Sequence, residues 1–117
     1  MPVPDPLPDP LVELVAQRFR VLSEPARIKL LDALRAGPAS VGDLAARVGL
    51  SQQNASKHLR VLHTAGLLQR TRTGVTAQYA IADPTVFTLC ELVCDALGKR
   101  YSALQALLPA GPMPVET

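Results

Sequence analysis

Two groups of side chains in this sequence have the types and spacing for chemistry. The first is the polar run of Ser51, Gln52, Gln53, Asn54, Ser56, Lys57 and Arg60, within SQQNASKHLR. Amides pair bidentately with adenine edges, hydroxyls reach phosphates, and cations neutralise the backbone or read guanine, so the set matches double-stranded DNA. A solvated face of an ordinary helical hairpin has the same composition. The second group is Cys90 and Cys94, four residues apart. On a helix both thiols point the same way with Cβ atoms about 5–6 Å apart, whereas an unstrained disulfide wants about 3.5–4.5 Å. Metal–sulfur bonds of about 2.3 Å tolerate that gap, so the pair suits a soft ion: trivalent arsenic, Cd, Zn or Cu(I). Two thiols are an incomplete ligand set. The rest must come from a partner helix, from solvent, or from an arsenical that already carries a carbon substituent. Free cysteines also pack well as small apolar residues, which is the alternative role for both. Catalytic chemistry has no comparable support: there is no Gly-rich phosphate loop, no paired nucleophile and base, and no carboxylate pair in a plausible cleft, so an enzyme is not expected.

The polar run needs a helix to carry it, and its neighbours specify one. Ser51 is placed as N-cap, Ala55, Leu59 and Leu62 recur at helical spacing, and Gly66 supplies a left-handed stop. A shorter helix precedes it, capped by Ser40, with Asp43 near the unpaired N–H groups of its first turn, Leu44, Ala45 and Val48 inward, and Gly49 at its end. Two helices joined by a tight Gly turn, with amides and cations at the start of the second, fit the helix-turn-helix mode of entering a major groove. Residues 67–72 and 75–81 then alternate as two strands, with Thr73 and Gly74 at the turn and Arg70 and Arg72 beside its tip. Such a basic hairpin, or wing, can follow a phosphate strand or reach a minor groove. Between Ser40 and Ile81 five cations (Arg47, Lys57, Arg60, Arg70, Arg72) face one anion (Asp43). That net +4 sits in a chain whose total is +2, so the remainder carries −2. Positive charge gathers where the ligand would bind.

A chain of 117 residues is one domain's worth. With 48% apolar residues, 3% aromatic and no Trp, its core must be aliphatic. Prolines at alternate positions among the first ten residues (MPVPDPLPDP) preclude regular structure there and leave no apolar run for an export signal. Two cysteines without export features read as reduced thiols, placing the protein in the cytoplasm. Asp9 and Pro10 start a first helix with Leu11, Leu14, Val15, Phe19 and Leu22 along one stripe; Ser23, Glu24 and Pro25 start a second with Ile28, Leu30, Leu31 and Leu34 inward. Asp83 and Pro84 open a last helix reaching about Leu108, with Val86, Leu89, Cys90, Val93, Cys94, Leu97, Tyr101, Leu104 and Leu108 on a single face. One small domain cannot cover that face, so it should bury against a copy of itself, joined by the first helix. Arg27 and His58 are expected in structural roles. His63, near a helix end, has no second ligand at His spacing and is not counted as a metal ligand.

The segments VLSEPARIKLL (21–31), VGDLAARVGL (41–50) and above all SQQNASKHLRVLHTAGLL (51–68) resemble the ArsR/SmtB family of winged-helix metalloregulators, with the likeness running from about Leu11 to about Leu108. The resemblance implies a mainly α fold with a small β-hairpin wing, a winged helix-turn-helix assembled as a homodimer through its first and last helices. Residues 1–9 and 109–117 would be flexible tails around a domain at 10–108. It implies a repressor that leaves a palindromic operator when a metal, metalloid or oxidant binds, with no resident cofactor. The Cys-x-Cys type pair that thiophilic-ion sensors of the family carry near residue 41 is absent, since Val41, Gly42, Asp43 and Leu44 contain no Cys. At the positions used by its zinc sensors this chain has Asp83, Thr85, Ala96 and Lys99, so only the Asp is retained. Cys90 and Cys94 resemble the last-helix cysteines of other members, which makes arsenite, an organoarsenical or another soft ion the expected inducer. Glu91 and Asp95 beside the thiols disfavour thiolate formation and hence peroxide reactivity. A thiol-redox or persulfide sensor, an effector-independent regulator with structural cysteines, and a protein-interaction module that binds no DNA are the alternatives.

Overall fold

The structure, a computed structural model, describes residues 2–107. Its elements are α1 (Asp9–Leu22), α2 (Pro25–Ala33), a 3₁₀ turn (Leu34–Ala36), β1 (Ala39–Ser40), α3 (Val41–Val48), α4 (Gln52–Thr64), β2 (Leu68–Thr73), β3 (Thr76–Ile81) and α5 (Thr85–Leu107). They fall into two compact units, one within Met1–Asp83 and one, carrying α5, within Pro84–Thr117. Among the described residues no helix is long and apolar enough to cross a membrane.

The first unit closes on an aliphatic core in which Leu30, Leu31, Leu34, Leu44, Leu59, Leu62, Leu67 and Leu68 are buried, with Ala39, Ala45, Ala55 and Tyr79 filling between them. Each such leucine removed from water contributes about 1.5–3 kcal/mol before chain entropy is counted. Both expected N-caps form: the Ser40 hydroxyl accepts the Asp43 N–H at 3.2 Å and the Ser51 hydroxyl accepts the Asn54 N–H at 3.1 Å. Helix α3 ends on Gly49 at φ 73°, where the Leu50 N–H donates back to the Ala45 carbonyl at 3.0 Å.

Helix α4 ends through Gly66 at φ 82°. The Leu67 N–H donates to the Leu62 carbonyl and the Gly66 N–H to the His63 carbonyl, each at 3.0 Å, the bond pair of a Schellman motif. Because Leu67 closes that motif, the first wing strand starts at Leu68, one residue later than alternation suggests. Thr73 pairs with Thr76, so the loop is Gly74 and Val75 rather than Thr73 and Gly74. Gly74 has φ 63° while no non-glycine residue has a positive φ, which makes the connection a type II′ turn, matched to strand twist. Strand β1 was not expected. It pairs Ala39 with Tyr79 and Ser40 with Gln78, giving an antiparallel sheet in the order β1-β3-β2.

Of the expected inward residues of α2, Ile28 needs correction. Ile28 is 46% exposed, because the stripe at 27, 30, 31 and 34 centres roughly 110° around the helix from it at 100° per residue. No residue of α1 is buried: Leu14 is 61% and Phe19 54% exposed. On α5 residues 91–100 are exposed throughout, Leu92, Val93 and Leu97 included. The expectations for the Leu104 side chain, for Leu108 and for the tail at 109–117 lie outside the described residues.

Two glycine substitutions separate conformation from packing. Gly66→Ala should lower unfolding free energy by about 1–2 kcal/mol, the cost of a left-handed alanine. Gly42→Ala, inside α3 with open space where its Cβ would go, should raise it by about 0.5–1 kcal/mol. Urea denaturation of the two variants beside the parent measures both.

Candidate nucleic-acid interface

Helix α4 divides into two faces. Ala55, Leu59 and Leu62 are fully buried, while Ser51, Gln52, Gln53, Asn54, Lys57 and Arg60 are exposed on or just before the helix. Ser56, expected to face outward, is half-buried, since it lies between the solvent face and the Ala55–Leu59 stripe. Ser51 already accepts a hydrogen bond as the cap, so its hydroxyl proton is what it can offer an outside acceptor. The wing adds Arg70 and Arg72, paired across the hairpin with Tyr79 and Ala77. After Leu68 every residue of β2 is exposed, so the hairpin projects from the core as an arm with both arginines on one face. Among the described residues Lys57, Arg60, Arg70 and Arg72 form no ion pair, which leaves four free cations on two consecutive elements.

A reading helix must be held rigidly, and α4 is tied at its middle and at its end. Arg27, in the first turn of α2, donates from Nε to His58 Nδ1 at 3.2 Å and from Nη1 to the Val21 carbonyl at 3.1 Å, linking the end of α1, α2 and α4. Both residues therefore have the structural roles expected of them, and His58 accepts through Nδ1, which places its proton on Nε2. Near the end of α4, Arg18 Nη2 donates to the Ala65 carbonyl at 3.2 Å, and Arg18 Nη1 lies 3.7 Å from Asp83 Oδ2. The His63 ring meets Tyr79 edge-on at 6.2 Å between centroids, so the last turn of α4 also rests on the base of the wing. Sequence reasoning missed Arg18. Its carbonyl partner is 47 residues away, and nothing local to α1 distinguishes it from a solvated arginine.

The thiols lie in the second unit, on α5, with Cys90 half-buried, Cys94 exposed and both free. Among the described residues no group of three or more His, Cys, Asp or Glu is arranged to hold a metal ion. A soft ion at this pair would need at least one further donor from outside these residues.

A helix-turn-helix domain family model matches residues 22–71. The chain is 37% identical over 101 residues to the HTH-type transcriptional regulator Rv0081 of Mycobacterium tuberculosis, a match that covers 86% of this chain and 89% of that one. It is also similar to the homodimeric winged helix-turn-helix DNA-binding domain of Mb0332 from Mycobacterium bovis, a possible ArsR-family transcriptional regulator. That likeness has 31% identity and a TM-score of 0.66 over 73% of this chain and 82% of that one. The chain belongs to the ArsR/SmtB family of transcriptional repressors. Another solved structure like it is that of AntR, an antimony-specific transcriptional repressor, with 36% identity and a TM-score of 0.66 over 77% of this chain and 81% of that one. Within this ArsR/SmtB-family repressor, Asp83 stands between the wing and α5 with its carboxylate 3.7 Å from Arg18.

Arg27→Ala removes two hydrogen bonds from a part-buried guanidinium and leaves His58 Nδ1 and the Val21 carbonyl without it. The expected loss is about 1–3 kcal/mol of unfolding free energy, read by urea denaturation. Arg27→Lys should recover little of it, because one ammonium cannot reproduce the fork.

Proposed function

We propose that this repressor binds an imperfectly palindromic operator as a homodimer joined through α1 and α5. In this reading Gln52, Gln53 and Asn54 read base edges, while Ser51, Ser56, Lys57, Arg60, Arg70 and Arg72 hold the phosphate backbone or read guanine. The observation that carries it is the division of α4, three fully buried aliphatic residues behind a ladder of exposed amides and cations. The uncovered apolar side chains of α1 and α5 favour the homodimer, as does the homodimeric assembly of the Mb0332 domain. A two-fold axis sets two such helices at half-sites about one turn of DNA apart. An operator as ligand favours a cytoplasmic location.

The effector reading rests on Cys90 and Cys94. An arsenite, organoarsenical or other thiophilic inducer is favoured by their spacing on one side of α5 and by the antimony specificity of AntR. Ligation there would displace protons from both thiols, and its free energy would act on the dimer seam to which α5 belongs. By reciprocity, operator DNA would weaken inducer binding by the same factor, commonly about 1–3 kcal/mol.

Gln53→Ala should weaken the cognate operator by about 1–3 kcal/mol and leave random DNA nearly unaffected. Gel shifts on the two duplexes measure the difference, and equal losses would remove Gln53 from base readout. The double substitution Cys90→Ser with Cys94→Ser should hold the operator as tightly as the parent and no longer release it on addition of arsenite, Cd or Zn. Anisotropy of a labelled operator during titration tests this. Continued release would assign both cysteines to packing.

A further inference from the structure

Tyr79 stands in the central strand of the sheet, paired with Ala39 on one side and Arg70 on the other. Directly opposed residues of an antiparallel pair share a face, with Cβ atoms about 4.5–5.5 Å apart, so Arg70 and the Tyr79 ring lie side by side on the hairpin. The ring belongs to the core: Tyr79 is 5% exposed and meets His63, in the last turn of α4, edge-on with centroids 6.2 Å apart. Its hydroxyl behaves differently. Among the described residues no hydrogen bond reaches it, and no buried side-chain nitrogen or oxygen lacks a partner. The hydroxyl is therefore the tip of an otherwise buried side chain that meets solvent. Buried tyrosines usually find a partner for this group, and a phenylalanine would fill the same space in the core. His63 and Ser56 are seven residues apart and lie on one flank of α4. Since His63 meets Tyr79, that flank is the one turned toward the wing.

We propose that the notch between α4 and the wing seats one backbone phosphate in each operator half-site, the Tyr79 hydroxyl donating to a phosphate oxygen and the Arg70 guanidinium pairing with the same group. This rests on the DNA reading of the preceding section and adds to it a neutral donor anchored in the core. A helix in a major groove and a hairpin reaching the adjacent minor groove have a phosphate strand between them. That strand crosses the notch walled by the Ser56–His63 flank and by the wing face carrying Arg70 and Tyr79. Burial of the ring against His63 fixes the hydroxyl in advance, so its contact costs little ordering, unlike that of an exposed arginine. Held by helix and wing together, Tyr79 sets the register of α4 on the duplex without reading sequence. His63 is its positioning residue.

Tyr79→Phe keeps the ring and removes only the hydroxyl. Its urea midpoint should match the parent's; a lowered midpoint would give the hydroxyl a partner inside the fold and overturn the proposal. In anisotropy titrations the variant should bind a labelled duplex of the protein's own promoter and a random-sequence duplex more weakly than the parent. The loss should be about tenfold for each half-site bound, that of one charge-assisted hydrogen bond. The slope of log affinity against log salt should be unchanged, since no cation is removed, whereas Arg70→Gln should lower it by about 1 for each half-site. Methylphosphonate substitution along the promoter duplex should find a phosphate in each half-site whose neutralisation costs the parent more than it costs Tyr79→Phe, with the other positions costing the two alike. Unchanged affinity of Tyr79→Phe for both duplexes would overturn the contact. So would a loss confined to the promoter duplex, which would make Tyr79 a reader of bases, or equal penalties at every substituted phosphate. A parent chain that binds neither duplex would instead overturn the DNA reading, and the contact with it.

Discussion

The structure depends on a single junction at Leu67. Its side chain is fully buried, its N–H completes the end of α4 on the Leu62 carbonyl, and its own carbonyl accepts the Ala82 N–H at 2.9 Å where β3 leaves the sheet. One residue thus fixes the direction in which α4 stops and the place where the wing begins. Gly66 makes this possible, because the turn needs a left-handed residue that β-carbons disfavour by about 1–2 kcal/mol. Helix and hairpin are therefore presented as one body, and neither can be reoriented without dismantling the Schellman turn between them.

From that junction the charge pattern follows. The inner stripe of α4 supplies the folding energy, so its outer face is free to carry amides and cations with no apolar duty. The wing repeats this division along its length: Leu68 is in the core and the rest of β2 is outside it. Cations collected on these two elements would repel one another if buried, but exposed charges in water interact weakly, at about 1 kcal/mol or less. A local net +4 is thus tolerated in a small domain, and it is the sign that attracts a polyanion.

Most of this architecture is legible in the residues themselves, because it is local. Ser40, Ser51, Gly49 and Gly66 act within four residues of themselves, and the 3.6-residue spacing of Ala55, Leu59 and Leu62 states which face of α4 goes inward. What stays hidden is non-local or too short to have a period. Two residues cannot display alternation, so β1 becomes visible only when Ala39 and Ser40 meet β3. Ile28 looks like core until the position of Arg27, committed to His58 and Val21 across the fold, fixes the direction of the α2 stripe. The polar face of α4 is readable as a set, but the half-burial of Ser56 depends on how the helix is rolled against its neighbours, which the pattern leaves open by a fraction of a turn.

The ties on α4 also constrain any route by which an effector acts on it. Distorting the helix within its unit would expose Leu59 or Leu62, each worth about 2–5 kcal/mol by large-to-small substitution, and would break the Arg27–His58 and Arg18–Ala65 bonds at about 0.5–1.5 kcal/mol each. Coupling between sites typically amounts to about 1–3 kcal/mol. The internal deformation is therefore too costly for an effector to drive. Two routes remain within reach of that energy: displacement of the whole first unit relative to its symmetry mate, or direct competition for the exposed side chains of α4. Both leave the buried stripe of α4 untouched. A helix held this firmly can be moved away from its ligand or blocked from it, but not bent.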